Sequence, residues 1–175
     1  MTVTPNNLAI LSYPADVLRR PSAAIDRVND EVRAVAIRMI ELMIAADGVG
    51  LAAPQVGLPW RMFVTRSREP DDHLPHCIFI NPTLSAPSDD VESAEEGCLS
   101  LPGVTVTVQR HRAVTVNATN LDGHEFSLTG EGLDARIWQH EHNHLDGILI
   151  IDRMSPMDRL ANRRAIRDLR KAAGE

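Results

Sequence analysis

Hydrophobic positions along this chain change period several times, and each change marks an element. Val32, Val35, Met39 and Met43 recur at helical spacing, which predicts a helix that opens after Asn29 and ends near Asp47. Asn29 is a capping residue, and Asp30 and Glu31 put acids in the first turn, where the helix dipole favours them. Before this helix, Leu8 to Ile25 is interrupted by Pro14 and Pro21 and reads as an extended N-terminal segment. After it the pattern turns to strands. Trp60 to Thr65 is one, and the apolar run Cys77-Ile78-Phe79-Ile80, ending at Asn81-Pro82, is another. Arg66 to Pro75 is a polar loop between them. Ser85 to Asp90 is a turn-rich loop leading into a strand that carries Cys98. Val104, Val106 and Val108 alternate with polar residues, as a half-buried strand requires. Ala113 to Ala118 and Glu125 to Leu128 continue the β pattern around Asp122-Gly123, a hairpin signal.

The helical period then returns. Leu133 and Ile137 begin a stripe that runs on through His140, Glu141 and His144, so these polar residues continue a buried face. Glu131 and Asp134 fall in the predicted first turn, and Gly147 stands where a C-terminal cap belongs. His142 lies off the stripe and is expected to face solvent. Ile148 to Ile151 reads as a short strand, and Ser155-Pro156 opens a last helix with serine as cap and proline in the first turn. The order predicts an α+β fold: mostly antiparallel β-sheets packed around a central metal-binding helix, with one N-terminal and one C-terminal helix. A length of 175 residues fits a single domain, residues 1–175, with a full core.

Composition narrows the setting. The net charge of −6 argues against DNA as the main ligand, and two cysteines make at most one disulfide. No apolar run approaches the ~20 residues of a membrane span. The first residues, Met1 to Asn7, lack the basic and apolar regions of a secretory leader. A cytoplasmic protein without membrane contact is the expectation.

The candidate chemistry lies in Gln139-His140-Glu141-His142-Asn143-His144. Residues i and i+4 share one helix face, so His140 and His144 can reach one metal ion together. Glu141, a fraction of a turn away, brings a carboxylate beside it, the H-E-x-x-H arrangement of metal-assisted hydrolysis. A catalytic metal needs a third ligand and an open position. The common downstream completions fail, because position 150 is Ile150 and the only later glutamate is Glu175. Cys98, in Glu96-Gly97-Cys98-Leu99-Ser100, is the best upstream candidate. Gly48-Val49-Gly50-Leu51-Ala52-Ala53-Pro54-Gln55 is either a tight turn or a backbone strip that a ligand approaches closely, with Gln55 offering an amide. His73, His76 and Cys77 form a second group, but their spacing matches no standard zinc pattern.

Taken in order, G-x-G-x-A-A-x-Q at Gly48–Gln55, E-G-C-L-S at Glu96–Ser100 and H-E-x-x-H at His140–His144 resemble the peptide deformylases, across essentially the whole chain. The resemblance implies hydrolysis of the formyl group from the N-formylmethionine of new polypeptides. It implies a ferrous ion, replaceable by zinc, nickel or cobalt, held by Cys98, His140 and His144, with Glu141 as proton carrier. It further implies that the Gln55 amide and the Leu99 backbone N–H donate to the formyl oxygen. The backbone of Val49, Gly50 and Gly97 would pair with an extended N-formylmethionyl peptide, and an apolar pocket near Leu99 and Ile137 would take the methionine side chain. One departure stands out: Asn143 occupies a position where the family usually has aspartate. With asparagine there, Glu96 and Arg110 are expected to pair one to one while the Asn143 amide hydrogen-bonds nearby without charge. The C-terminal helix carries Arg159, Arg163, Arg164, Arg167, Arg170 and Lys171; it is either a solvated basic face or a dock for the ribosome. The alternatives to a deformylase are a zinc peptidase cutting internal bonds and a binding protein that keeps the fold.

Overall fold

The computed structural model describes residues 3–66 and 78–175. The His73, His76 and Cys77 group and most of the Arg66 to Pro75 loop lie outside these. The named elements, in chain order, are α1 (Asp30–Ala45), β1 (Gly50–Ala52), β2 (Met62–Thr65), β3 (Ile78–Ser85), β4 (Val91–Glu96), β5 (Val106–His111), β6 (Ala113–Thr119), β7 (Glu125–Glu131), α2 (Leu133–Leu145) and α3 (Pro156–Ala172). All strand pairing in the two sheets is antiparallel. One sheet has five strands in the order β1-β2-β3-β6-β7, and the other is the β4–β5 pair. The α+β architecture expected from the pattern is the one observed.

The five-stranded sheet is covered on both faces. Met62, Val64, Ile78 and Ile80 point to the α1 side and pack with Val32, Val35, Met39 and Met43. The alternate residues Phe63 and Phe79 point to the α2 side, where they meet Ala135, Trp138 and Leu145. Burial on both faces explains why these strands read as unbroken apolar runs, whereas β5 alternates strictly between buried and exposed. Trp138 lies flat on Gly130 of β7, where a Cβ would come within 2.6 Å of its ring. A third cluster under β5 joins Tyr13, Leu18, Leu101, Val106, Val108 and Ile150 to the inner face of α3.

The helix starts follow their sequence signals. Asn29 Oδ1 accepts from Val32 N at 2.9 Å. Ser155 Oγ accepts from Asp158 N at 3.1 Å, while Asp158 reaches back to Ser155 N at 3.0 Å. Gly147 takes φ 73° just past α2, and its Cα lies against the Arg19 carbonyl, so a side chain there would meet both backbone strain and a 2.7 Å contact.

Several boundaries differ from expectation. Glu131 ends β7 and is not in the first turn of α2, because Gly132 at φ 57° turns the chain between them. Cys98 follows β4 in a turn and is not within a strand. Ile148 to Ile151 is no strand: Ile150–Arg153 forms a 3-10 turn, secured by Asp152 Oδ2 accepting from Leu149 N at 2.8 Å. The Leu8 to Ile25 segment includes a second such turn at Asp16–Arg19. The strand expected from Trp60 begins at Met62; Trp60 itself makes an isolated bridge to Ala23.

Candidate metal centre and substrate cleft

Two free strand edges and one helix build a cleft of about 480 Å³. β1 is an edge strand of the large sheet, and β4 uses only one edge to pair with β5. Val49 and Gly50 line one wall, Glu95, Glu96, Gly97, Cys98 and Leu99 the other, and α2 closes the floor with Ile137, His140 and Glu141. Every residue expected to bind substrate, namely Val49, Gly50, Gly97 and Ile137, therefore lines one cleft with Gln55, Cys98 and Leu99. Leu133 also lines it but is exposed, so the stripe that begins α2 faces the cleft mouth before it turns inward.

Cys98, His140 and His144 come together at the cleft floor, their ligand atoms all within 4.8 Å of one another. His144 Nε2 lies 3.3 Å from Cys98 Sγ. His140 gives its other nitrogen, Nδ1, to Glu96 Oε2 at 3.0 Å, which fixes the ring and turns Nε2 toward the thiol. His144 Nδ1 is buried without a partner among the described residues. Gly50 is required here by close approach: a Cβ would sit 2.3 Å from Glu141 Oε1. The carboxylate is thus pressed against the β1 backbone while its Oε2 is buried with no hydrogen bond among the described residues.

Burial pushes the Glu141 carboxyl up to about 7, against the pull of His140 and Arg110. Burial works against charge on His140 as well, but its contacts with Cys98 and Glu96 and the charge of Glu141 outweigh that and raise it to about 10. Burial, with the positive charge of His140 and Arg110, holds His144 well below its ordinary range. The Glu96 carboxyl is also penalised by burial, yet its bonds to Arg110 and His140 hold it well below the usual carboxylate range.

Gln55 is oriented by the backbone. Its Oε1 accepts from Ala52 N at 2.8 Å, which leaves the amide Nε2 to donate to Ser100 Oγ at 3.2 Å and to face Cys98 Sγ at 3.5 Å. Ser100, fully buried, went unremarked in the sequence although it closes the E-G-C-L-S stretch.

Two expectations need correction, and one residue was missed. Glu96 and Arg110 do not pair one to one. Arg110 donates twice to Glu96, at 2.9 and 2.8 Å, but Arg136 donates to the same carboxylate at 2.7 Å. Asn143 does accept without charge, from Arg110 Nη1 at 2.5 Å. Arg136 was missed; the available signal was its place one turn before His140 on the same helix face. His142 does not face open solvent. It is half-buried between Arg61 Nη2 at 2.9 Å and Asp146 at 3.3 Å, and burial lowers its pKa.

Comparison with known proteins bears on the same residues. The polypeptide deformylase family profile matches residues 7–160. The peptide deformylase of Maricaulis maris is 40% identical over 162 residues, covering 93% of this chain and 91% of that protein. That of Acidobacterium capsulatum is 41% identical over 166 residues, covering 93% and 95%. Among solved structures, a plant peptide deformylase superposes with TM-score 0.90 at 33% identity, over 99% of this chain and 94% of its own. The Thermotoga maritima peptide deformylase gives 0.79 at 39% identity, over 85% and 98%. Likeness of this extent in both sequence and fold means that the chain belongs to the peptide deformylase family of metal-dependent hydrolases, and its reaction is removal of the formyl group from the N-terminal formylmethionine of new polypeptides.

Proposed function

We propose that deformylation is carried out by a single catalytic domain, residues 1–175, in which Cys98, His140 and His144 hold the metal and Glu141 moves the proton. The donor set fits such a group. One thiol and two imidazoles converge, one imidazole is fixed by a carboxylate behind it, and the neighbouring Glu141 Oε2 is buried without a partner among the described residues. That last atom carries the reading, since a buried carboxylate oxygen without a donor is costly unless something else occupies the cleft beside it. The proposed metal is Fe(II), with zinc, nickel or cobalt able to substitute; soft thiolate and imidazole ligands suit all four. When bound, the metal supplies a Lewis acid that activates water and polarises the formyl carbonyl.

The remaining roles belong to the chain. A Glu141 carboxyl near 7 can take a proton from water and give it to the departing amine at neutral pH. The Gln55 amide, aimed by Ala52, and the Leu99 backbone N–H donate to the formyl oxygen as negative charge develops there. One such donor contributes about 3–4 kcal/mol in other hydrolases. Val49 and Gly50 on one edge and Gly97 on the other pair with the peptide backbone as added strands do. The methionine side chain lies between Leu99 and Ile137. The preferred substrates are N-formylmethionyl peptides, with no role for DNA or a membrane; no helix of the described residues is long and apolar enough to cross one.

The finer setting is the bacterial-type cytoplasm, where a reducing environment keeps the Cys98 thiol free. There α3 docks on the ribosome. Four of its six basic residues, Arg159, Arg163, Arg167 and Arg170, line a groove of about 500 Å³ together with Arg19, and polyanions suit such a face. Salt-dependent co-sedimentation with ribosomes that survives Arg163→Glu with Arg167→Glu would refute the docking.

The test of the reaction uses protein loaded anaerobically with Fe(II), and separately with Zn(II), Ni(II) or Co(II). Formate should be released from a formylmethionyl tripeptide, and the unblocked tripeptide should remain intact. Cleavage of the unblocked peptide, or absence of formate at full metal occupancy, would contradict the proposal.

A further inference from the structure

Behind His140 lies a buried charged cluster whose charges do not balance. Glu96 is its one carboxylate, and it receives Arg110 Nε and Nη2, Arg136 Nη1 and His140 Nδ1. Arg136 spends its other hydrogen bonds on backbone, the Val108 and Glu92 carbonyls at 2.9 and 2.7 Å. Arg110 Nη1 goes to Asn143 Oδ1 and, at 3.4 Å, to the Gln139 carbonyl. Among the described residues, two guanidiniums therefore face one carboxylate, and the position that could supply a second anion holds a neutral amide. The side chains of Glu96, Arg110 and Arg136 are only 5%, 6% and 11% exposed, so solvent does little to screen the surplus.

The surplus sits against the proposed ligands. Arg110 touches Gln139, the residue before His140, and Asn143, the residue before His144, and reaches His140 itself through Glu96. A positive charge so placed repels a dication held on the other side of the imidazoles. It attracts the anions of the same site, the Glu141 carboxylate and the charge that develops on the formyl oxygen.

We propose that Asn143 is a positioning residue: by accepting from Arg110 without a charge it leaves the Arg110–Arg136–Glu96 cluster one positive charge in surplus, which loosens the metal on Cys98, His140 and His144 while favouring the anionic transition state. This rests on the ligand set proposed above. The asparagine thus trades metal retention for turnover, and Arg136 shares in the effect as the second cation.

The test measures release of Co(II) from the loaded holoenzyme to a chelator, alongside kcat and KM. Asn143→Asp supplies the missing anion in nearly the same shape. It should slow Co(II) release roughly tenfold, the scale on which groups behind a ligand alter metal binding, and lower kcat a few-fold with KM unchanged. Arg136→Gln removes a cation and should also slow release, since Arg110 alone still grips Glu96 with two bonds. Arg136→Lys keeps the charge and should leave release within twofold of wild type. Asn143→Ala, which deletes the hydrogen bond but not the charge balance, should shift release less than Asn143→Asp and not in the slowing direction. Unchanged or faster release in both Asn143→Asp and Arg136→Gln, from a wild type that loads stoichiometrically, would overturn the charge argument and leave the ligand set standing. A wild type that takes up no Co(II) would instead refute the ligand set, and the inference with it.

Discussion

Helices α2 and α3 are similar in length and both rich in polar residues, yet they use them in opposite ways. In α2, Gln139, His140, Glu141 and His144 are buried along with Ala135, Trp138 and Leu145. In α3 the only buried residue is Asn162. Each buried polar group of α2 forces a specific arrangement elsewhere. Gln139 exchanges hydrogen bonds with the His111 backbone, His140 needs Glu96, and Glu141 needs a glycine at position 50. By contrast, α3 is fastened by Asn162, which bonds Thr105 N and O at 3.1 and 2.7 Å, and by a narrow apolar face. Of its arginines, Arg170 also reaches in to the Tyr13 hydroxyl at 2.7 Å, while Arg164 and Arg167 lie on the surface beside Asp168. Burying a polar group costs free energy unless every partner is in place, so a helix that buries several is organised around a reaction, and one that buries a single asparagine is organised around attachment.

That contrast can be broken at defined points. Cys98→Ser removes the thiol proposed as a ligand beside α2 and should cost most: metal occupancy after dialysis should collapse, with activity down by a factor on the order of 10³ or more, since the chemistry the metal would supply is lost. Metal analysis and formate release read both. Arg110→Ala comes next. It strips three donors from Glu96 and Asn143 and leaves the buried carboxylate with one Arg136 bond and His140, the ring it has to orient, so metal affinity should fall about 10–100-fold, as measured by chelator competition.

The third effect is a pH dependence confined to the metal-free protein. The folded state raises Glu141 from its ordinary 4.5 to about 7 and His140 from 6.5 to about 10. Both groups thus hold protons more tightly when folded. Their stabilisation is complete below their ordinary values and disappears as pH rises through the folded ones. Glu96 acts with the opposite sign: its depressed carboxyl stabilises above the usual carboxylate range and that contribution is lost on strong acidification. Below about pH 6.5 the depressed His144 and His142 act against Glu141, so the melting temperature of the metal-free protein should decline chiefly between about pH 6.5 and about pH 10. Metal loading, which would displace the His140 proton if the proposed ligand set holds the ion, should flatten that decline. A metal-free protein that becomes more stable toward pH 10 would contradict the sign.

The smallest effect belongs to α3. Asn162→Ala leaves the Thr105 backbone N–H and C=O without their partner and should cost about 1–3 kcal/mol of stability, seen in denaturant unfolding, while kcat of the metal-loaded enzyme stays within twofold. A large loss of kcat there would mean that α3 supports the site and not merely the fold.

The sequence made visible whatever depends on local periodicity or on a fixed spacing. The α1 cap at Asn29, the alternation of Val106 and Val108, and the shared face of His140 and His144 are all short-range signals, and each has its counterpart in the structure. What stayed hidden depends on contacts far apart in the chain. His142 looked solvent-facing because nothing near it indicates that Arg61, from the start of β2, closes over it. Nothing local marks Arg136, because its partners, Glu96, Glu92 and Val108, come from β4 and β5. The strand reading of Ile148 to Ile151 failed for a different reason. A short apolar run fits a buried strand or a buried turn equally well, and the decision fell to the Asp152 carboxylate capping Leu149.

The central claim is that Glu141 carries the proton and binds no metal, while its neighbours on α2 bind metal and carry no proton. Glu141→Ala, reconstituted with Co(II) and assayed in parallel for metal content and formate release, tests it most directly. The account predicts one metal per chain, as in the wild type, and formate release lower by a factor on the order of 10² to 10⁴, the range for loss of a general acid–base group. Near-normal turnover at full occupancy, or loss of the metal along with the carboxylate, would contradict it.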